Sequence, residues 1–194
     1  MILDVLIPTL PERAALLQSL IAEITRQSAE ANCSDLLNIL VDPTPRGKVT
    51  TGAKRNALMK RVTSLYQWFI DDDDRVLPGA IEAIMRAAES KCDVMAINGI
   101  MTTNGGHFKK WYIALGNPYE AQFRNGEEIY LRYPNHITPM RNDLVRDIAF
   151  PDKSNFEDKD WADAVKKSGV LKKETRIDIP VYHYRYVTHS KPYV

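Results

Sequence analysis

Short apolar runs alternate along this chain with longer segments of mixed polarity. Ile2 to Ile7 is apolar and β-prone and ends at Pro8, which predicts a buried strand. From Glu12 to Ala31, Leu16, Leu17, Leu20, Ile21 and Ile24 recur at spacings of one, three and four, so they lay one apolar stripe along a helix. Pro11 suits its first turn. Leu36 to Val41 predicts a second strand, stopped by Asp42 and Pro43. Gly52 to Ser64 predicts a helix with Ala57, Leu58 and Val62 inward. Tyr66 to Ile70 predicts a third strand that runs directly into Asp71, Asp72, Asp73 and Asp74. Pro78 to Ala88 predicts a helix with Ile81, Ile84 and Met85 on one side, and Asp93 to Asn98 a fourth strand.

This alternation predicts an α/β fold with a mostly parallel central sheet flanked by helices. In such sheets ligands bind beyond the carboxyl ends of the strands. Thr9, Asp42 and the four aspartates all follow predicted strand ends, which points to one site. The second half is less regular. Residues 102–106 (TTNGG) predict a turn, Gly116 to Gly126 a loop, and Glu127 to Tyr133 a strand. Pro134-Asn135-His136 breaks the chain. Asn142 to Ile148 and Glu157 to Lys167 predict short helices, the second with Gly169 in a capping position. Ile177 to Val187 predicts a last strand, interrupted by Pro180. No linker is visible, so one domain over residues 1–194 is expected.

Composition narrows the class. Hydrophobic residues make up 44% and charged residues 26% of 194 residues, as in soluble globular proteins. Lys plus Arg is 26 and Asp plus Glu 25, a net charge of +1, which argues against a constitutive polyanion binder while leaving room for a local basic patch. Cys33 and Cys92 are too few for a disulfide scaffold or a cysteine zinc site, and read as buried thiols. The apolar N-terminus lacks a basic leader and a small-residue cleavage site, and no apolar run approaches the roughly 20 residues that span a bilayer. A soluble protein of a reducing compartment is expected.

Three segments carry candidate chemistry. In Trp68 to Asp74 (WFIDDDD) four adjacent carboxylates repel one another at the end of a buried strand. A divalent cation would offset that repulsion, and hard oxygen ligands suit magnesium or manganese. An acidic surface turn leading into the helix at Pro78, whose N-terminus favours carboxylates, is the competing explanation. Gly47 to Asn56 (GKVTTGAKRN) opens a helix, and backbone N–H groups there with Lys54 and Arg55 would form an anion site. It is not a Walker A loop, because Ala53 occupies the lysine position; a solvated first helical turn is the competing explanation. Asn155 to Trp161 (NFEDKDW) sets two carboxylates at a helix start between aromatics, which fits a general base or an N-cap. The four histidines, His107, His136, His183 and His189, show no zinc-enzyme spacing. In the alternating run Tyr182 to Tyr186, His183 and Arg185 should share one face.

Taken together, these pieces resemble the family 2 glycosyltransferases of the GT-A, Rossmann-like fold, from Leu3 to about Ser190. VLIPTLPER is similar to that family's first strand and turn, with Pro8 and Thr9 at the donor site. Asp42 matches the acidic residue that contacts the nucleotide base. Gly52 to Asn56 (GAKRN), including Lys54 and Arg55, resembles the stretch lining the donor pocket. FIDDDDRVLPGAI resembles the motif that opens the metal site, with Asp71 and Asp73 as its paired carboxylates and Asp72 beside the donor. Glu157-Asp158 resembles the family's E-D motif, whose aspartate is the base. PNHITPMR, Pro134 to Arg141, is similar to small phage and bacterial glycosyltransferases. Val187 stands where such enzymes carry a metal-binding histidine, leaving His189 or His183 as substitutes.

The resemblance implies a metal-dependent, inverting transfer of a sugar from a nucleotide-diphosphate sugar to an acceptor hydroxyl. Residues 1–100 would bind the nucleotide sugar and 101–194 the acceptor, with Mn2+ or Mg2+ as cofactor. Asp73, Asp71 and His189 or His183 would hold the metal. Asp158 would take the acceptor proton, Glu157 would hold acceptor hydroxyls, and Asn135, His136 and Trp161 would line the acceptor site. The acceptor stays open among glycan, lipid, protein and modified DNA, and a bacterial or phage-infected cytoplasm is the expected location. A nucleotidyltransferase is the first alternative, disfavoured because LIPTLPER carries no glycine-rich loop. A non-catalytic nucleotide- or sugar-binding module is the second, disfavoured by the acidic, basic and E-D segments together.

Overall fold

The computed structural model describes residues 1–124 and 126–188. In chain order the elements are β1 (Leu3–Pro8), α1 (Ala14–Glu30), β2 (Leu37–Asp42), α2 (Thr51–Met59), β3 (Tyr66–Phe69), β4 (Arg75–Val76), α3 (Ala80–Ala88), β5 (Val94–Thr103), β6 (Gly106–Ile113), β7 (Glu120–Arg124), β8 (Glu127–Arg132), β9 (Met140–Arg141), α4 (Asn142–Val145), α5 (Glu157–Ser168) and β10 (Glu174–Tyr186). The strands form one sheet in the order β2-β1-β3-β9-β5-β6-β8-β7, with β10 alongside β5 and β4.

Period-two alternation divides the core. Leu3, Val5 and Ile7 of β1 and Tyr66 and Trp68 of β3 pack with Leu20 and Ile24 of α1 and Ile81 and Ile84 of α3. Leu6 and Phe69 point the other way, onto Leu58 of α2 and Trp161 and Val165 of α5. Strands buried on both faces read as continuous apolar runs, which is why this half was legible.

β5-β10 and β6-β8 pair in parallel, and so does the β2-β1-β3 block. Beyond it β9 lies antiparallel to β3 and β5, and β6 and β7 add further antiparallel pairings, so the sheet is mixed. The expected turn is present: Asn104 and Gly105 (φ 52° and 78°) reverse β5 into β6. β6 and β7 were not expected, and β7 falls inside the segment read as a loop. Both carry exposed polar residues in place of a clean apolar run. α2 stops at Met59, short of Ser64. The reason is buried Asp4, whose carboxylate accepts from the Thr63 and Ser64 amides and the Ser64 hydroxyl at 2.8–3.0 Å, pulling the chain out of the helix. Gly169 caps α5 at φ 64°, the left-handed position expected of it. Among the described residues no helix is long and apolar enough to cross a membrane.

Candidate functional site

β1, β2 and β3 end side by side, and they deliver Thr9, Asp42 and the aspartate run to one edge. The repulsion within that run is met by the protein's own groups. Arg55 Nη2 donates to Asp71 Oδ1 at 2.9 Å, and His136 Nε2 lies 3.4 Å from Asp71 Oδ2. Burial pushes the Asp71 carboxyl up, but Arg55 and His136 outweigh it and hold it well below the usual carboxylate range. Thr9 Oγ1 donates to Asp72 Oδ2 at 2.6 Å, and Arg13 Nη1 reaches Asp72 and Asp73 at 2.8 and 3.2 Å. Asp74 is fully buried and accepts from the Tyr182 hydroxyl at 2.6 Å and the Arg185 amide at 2.7 Å. Its burial, with Asp71 and Asp73 near, raises its carboxyl well above the ordinary value. The protein's own cations and hydrogen-bond donors thus offset part of the repulsion that the bare sequence left to a divalent ion. Arg13, Tyr182 and Arg185 were missed as partners. The place of Arg13 just after β1 was the available signal.

The basic helix differs more. Its first amides are all taken: Thr51 by Ser154 Oγ (3.3 Å), Gly52 by the Lys153 carbonyl (3.0 Å), Ala53 by Thr50 Oγ1 (3.0 Å). No anion cradle is left there. A Cβ on Gly52 would sit 1.9 Å from the Pro151 carbonyl oxygen, so this glycine serves the packing of residues 150–153. Asn56 likewise binds both backbone groups of Phe150, at 2.8 and 2.9 Å. Lys54 is buried and its Nζ donates to the Thr9 carbonyl at 2.6 Å. Burial lowers its pKa, with Asp42 and Asp72 opposing. Arg55 is also buried, lies over the rings of Phe69 and Phe150, and links Asp71 to Glu157 Oε1 at 3.4 Å. Lys54 and Arg55 thus prop the site loops from beneath. Asp42 caps its own turn, accepting from Thr44 N and Oγ1.

On the other side, α5 begins at Glu157 and carries Asp158 on its first turn. Glu157 is buried against Arg55, and burial raises its carboxyl, so it faces inward instead of holding acceptor hydroxyls. Asp158 is half-exposed, and its Oδ2 lies 3.7 Å from His136 Nδ1. His136 therefore stands between Asp71 and Asp158. Trp161 is not at the surface: it is buried, stacked on Phe150 with centroids 4.6 Å apart, and its Nε1 donates to the Ile148 carbonyl. Asn135 closes the turn before β9, its Oδ1 accepting from the Ile137 amide, and it lines the cavity. That cavity, about 560 Å3, has Asp71, His136 and Asp158 on one wall.

Asp71 and Asp73 supply hard oxygen donors at a strand end, a set that fits magnesium or manganese shared with substrate phosphates and water. A cage made by the protein alone is absent: among the described residues no three His, Cys, Asp or Glu side chains form a group that could hold a metal. His183 Nε2 shares a hydrogen bond with Thr102 Oγ1 at 2.9 Å, and burial, with Arg185 and Arg75 beside it, lowers its pKa. His189 lies outside the described residues.

The solved structures most like this chain include S. aureus TarS 1–349 in complex with UDP-GlcNAc, at TM-score 0.66 and 16% identity, covering 100% of this chain and 62% of that one. TarS 1–349 in complex with UDP gives TM-score 0.63 at 16% identity, covering 95% and 60%. The chain thus spans about three fifths of those TarS chains, and at this identity the likeness establishes the fold. No curated protein sequence matches the chain. The family match runs over residues 21–149 and stops short of Glu157 and Asp158. Within that span lie β2, the α2 helix, the aspartate run and the Pro134–Arg141 segment, and on this match the chain belongs to glycosyl transferase family 2.

Proposed function

We propose that the protein transfers a glycosyl group from a nucleotide-diphosphate sugar to an acceptor hydroxyl, with inversion at the anomeric carbon. The observation that carries this is the convergence of Asp71 and Asp158 on one cavity, with His136 between them, at the carboxyl edge of a sheet in a family 2 chain. The complexes of TarS with UDP-GlcNAc and UDP make a uridine diphosphate sugar the first donor to test.

The donor would lie over the ends of β1 to β3, its base toward Asp42 and its diphosphate toward Asp73 and Asp71. Bound there by these two carboxylates, magnesium or manganese would neutralise charge on the departing diphosphate. Asp158, half-exposed on the cavity wall, takes the proton of the acceptor hydroxyl. The acceptor oxygen bonds to the anomeric carbon as the bond from that carbon to the diphosphate oxygen breaks, and the nucleoside diphosphate leaves. A single base with no second carboxylate as nucleophile fits one displacement. Lys54 and Arg55 hold the Thr9 loop and Asp71 in place.

Incubation with a panel of UDP-, GDP-, CMP-, TDP- and ADP-sugars, with and without manganese, tests this. One nucleotide sugar should raise the melting temperature, because only the folded state binds it, and should slowly release free nucleotide. No shift and no release with any donor would defeat the proposal.

A further inference from the structure

The cavity beside Asp158 has a far wall that the chemistry above leaves unused. It is built by β6, β8, β10 and the outer face of α5, and is lined by Tyr119, Tyr130, Tyr133, Tyr184 and Tyr186. Three cations lie over these rings, one of them Lys109, 5.1 Å from the Tyr130 centroid. The Arg132 guanidinium lies 3.9 Å from the Tyr119 centroid and 5.0 Å from that of Tyr130, and Lys166 Nζ lies 5.3 Å from Tyr133. Two cavity cations are spoken for: Lys109 pairs with Glu128 and Lys159 with Asp163. Among the described residues Arg132 and Lys166 pair with no carboxylate; Arg132 donates to the backbone carbonyls of Glu120 and Leu131.

Cations over ring faces are attracted to them, yet each keeps its full charge and most of its donors. A concave wall of tyrosines offers flat faces to the C–H face of a sugar or polyol ring. The carboxylates facing the same space do not cancel the two cations. Asp71 pairs with Arg55 and lies beside His136, Asp163 pairs with Lys159, and Asp158, 3.7 Å from His136 Nδ1, is the remaining carboxylate of the cavity. We infer that the acceptor is an anionic saccharide. Its ring packs on the tyrosine wall, its phosphate or carboxylate meets Arg132 and Lys166, and its hydroxyl points to Asp158. This rests on the glycosyltransferase proposal and adds to it the charge of the acceptor.

Calorimetry on the full chain saturated with UDP tests the inference, with glucose, glucose 6-phosphate and glucuronate as probes. At least one charged sugar should bind about tenfold tighter than glucose, the order expected of one charge-assisted hydrogen bond in a half-open site. The two charged probes separate a phosphate-bearing from a carboxylate-bearing acceptor. Lys166→Gln, on the exposed face of α5, should lose most of that difference without touching the fold, and Arg132→Gln combined with it should abolish the difference. UDP affinity should stay unchanged in both variants. Equal affinity for glucose and the charged sugars, no binding of either charged sugar, or charged-sugar binding that survives both substitutions would overturn the inference. Failure of the wild-type chain to bind any nucleoside diphosphate would instead defeat the glycosyltransferase proposal beneath it.

Discussion

His136 holds its Nδ1 3.7 Å from Asp158 Oδ2, and that buried nitrogen has no hydrogen-bond partner. The separation is too long for a direct bond. Catalytic hydrogen bonds are often long in free enzymes and tighten once substrate arrives. His136 is anchored at its other nitrogen by Asp71, so it can orient Asp158 without moving far. Asp158→Asn should cut turnover by about 10²–10⁴-fold while donor affinity stays within twofold or so of wild type, since the base touches the acceptor alone. His136→Ala should lower kcat by a smaller factor and leave the acceptor KM nearly unchanged. Steady-state kinetics beside donor calorimetry separate these outcomes; full activity in the Asn variant would move the base elsewhere.

Arg55 should matter first to stability. It is buried and serves Asp71 and Glu157 at once. Arg55→Met would leave two carboxylates beneath the site without their cation. Breaking a buried pair costs about 3–5 kcal/mol, and the lower end applies because Asp71 keeps some solvent contact. Urea unfolding should show this loss, whereas removing a cation that faced the donor from solvent would leave the unfolding midpoint in place.

The same residues mark what the sequence could and could not disclose. β1, β2, β3, α1 and α3 were legible because each buries a periodic or continuous apolar run. Asp71, Asp73 and Asp158 could be singled out because carboxylates at strand or helix ends are conspicuous. The direction of a side chain was not legible. Lys54, Arg55, Gly52 and Asn56 look like a phosphate loop in sequence, yet all four turn inward, since the decisive partners, Thr9, Pro151 and Phe150, lie far away along the chain. Trp161 beside the E-D pair looked like a sugar platform, but at helical spacing it falls on the core face with Val165. β6 and β7 escaped because strands with one solvated face near a sheet edge carry little apolar signal.

Gly52→Ala probes the joint between α2 and residues 150–153. The added methyl would press on the Pro151 carbonyl, a backbone atom that cannot swing aside. Overpacking of this kind costs about 1–3 kcal/mol. Thermal unfolding should show the loss, and because Asn56 and the Gly52 amide hold the same segment, nucleotide affinity should fall much less than stability.

Metal dependence should run through Asp73. Nucleoside diphosphate affinity in the wild-type chain should rise on adding manganese and drop back with EDTA. Asp73→Asn should bind with the EDTA-level affinity whether or not manganese is present, because one carboxylate fewer leaves the diphosphate to share the ion with Asp71 alone. Calorimetry in the four conditions reads this directly. A manganese-dependent gain that persists in Asp73→Asn would place the ion on other residues.

Phe156 is strained in a way that can be measured. It precedes Glu157 with φ 61° and ψ 14°, the left-handed region, and its side chain is 71% exposed. A non-glycine residue there gives up about 1–2 kcal/mol. The ring, being exposed, recovers little of that by burial. Glycine removes the strain but adds about 0.5–1 kcal/mol of chain entropy to the unfolded state. Phe156→Gly should therefore stabilise the protein by up to about 1.5 kcal/mol, the difference between those terms. Phe156→Ala keeps the Cβ and hence the strain, so it should unfold close to wild type. Thermal unfolding of the pair isolates the backbone contribution. If alanine stabilises as much as glycine, the cost lies in the exposed ring and not in the backbone that leads into Asp158.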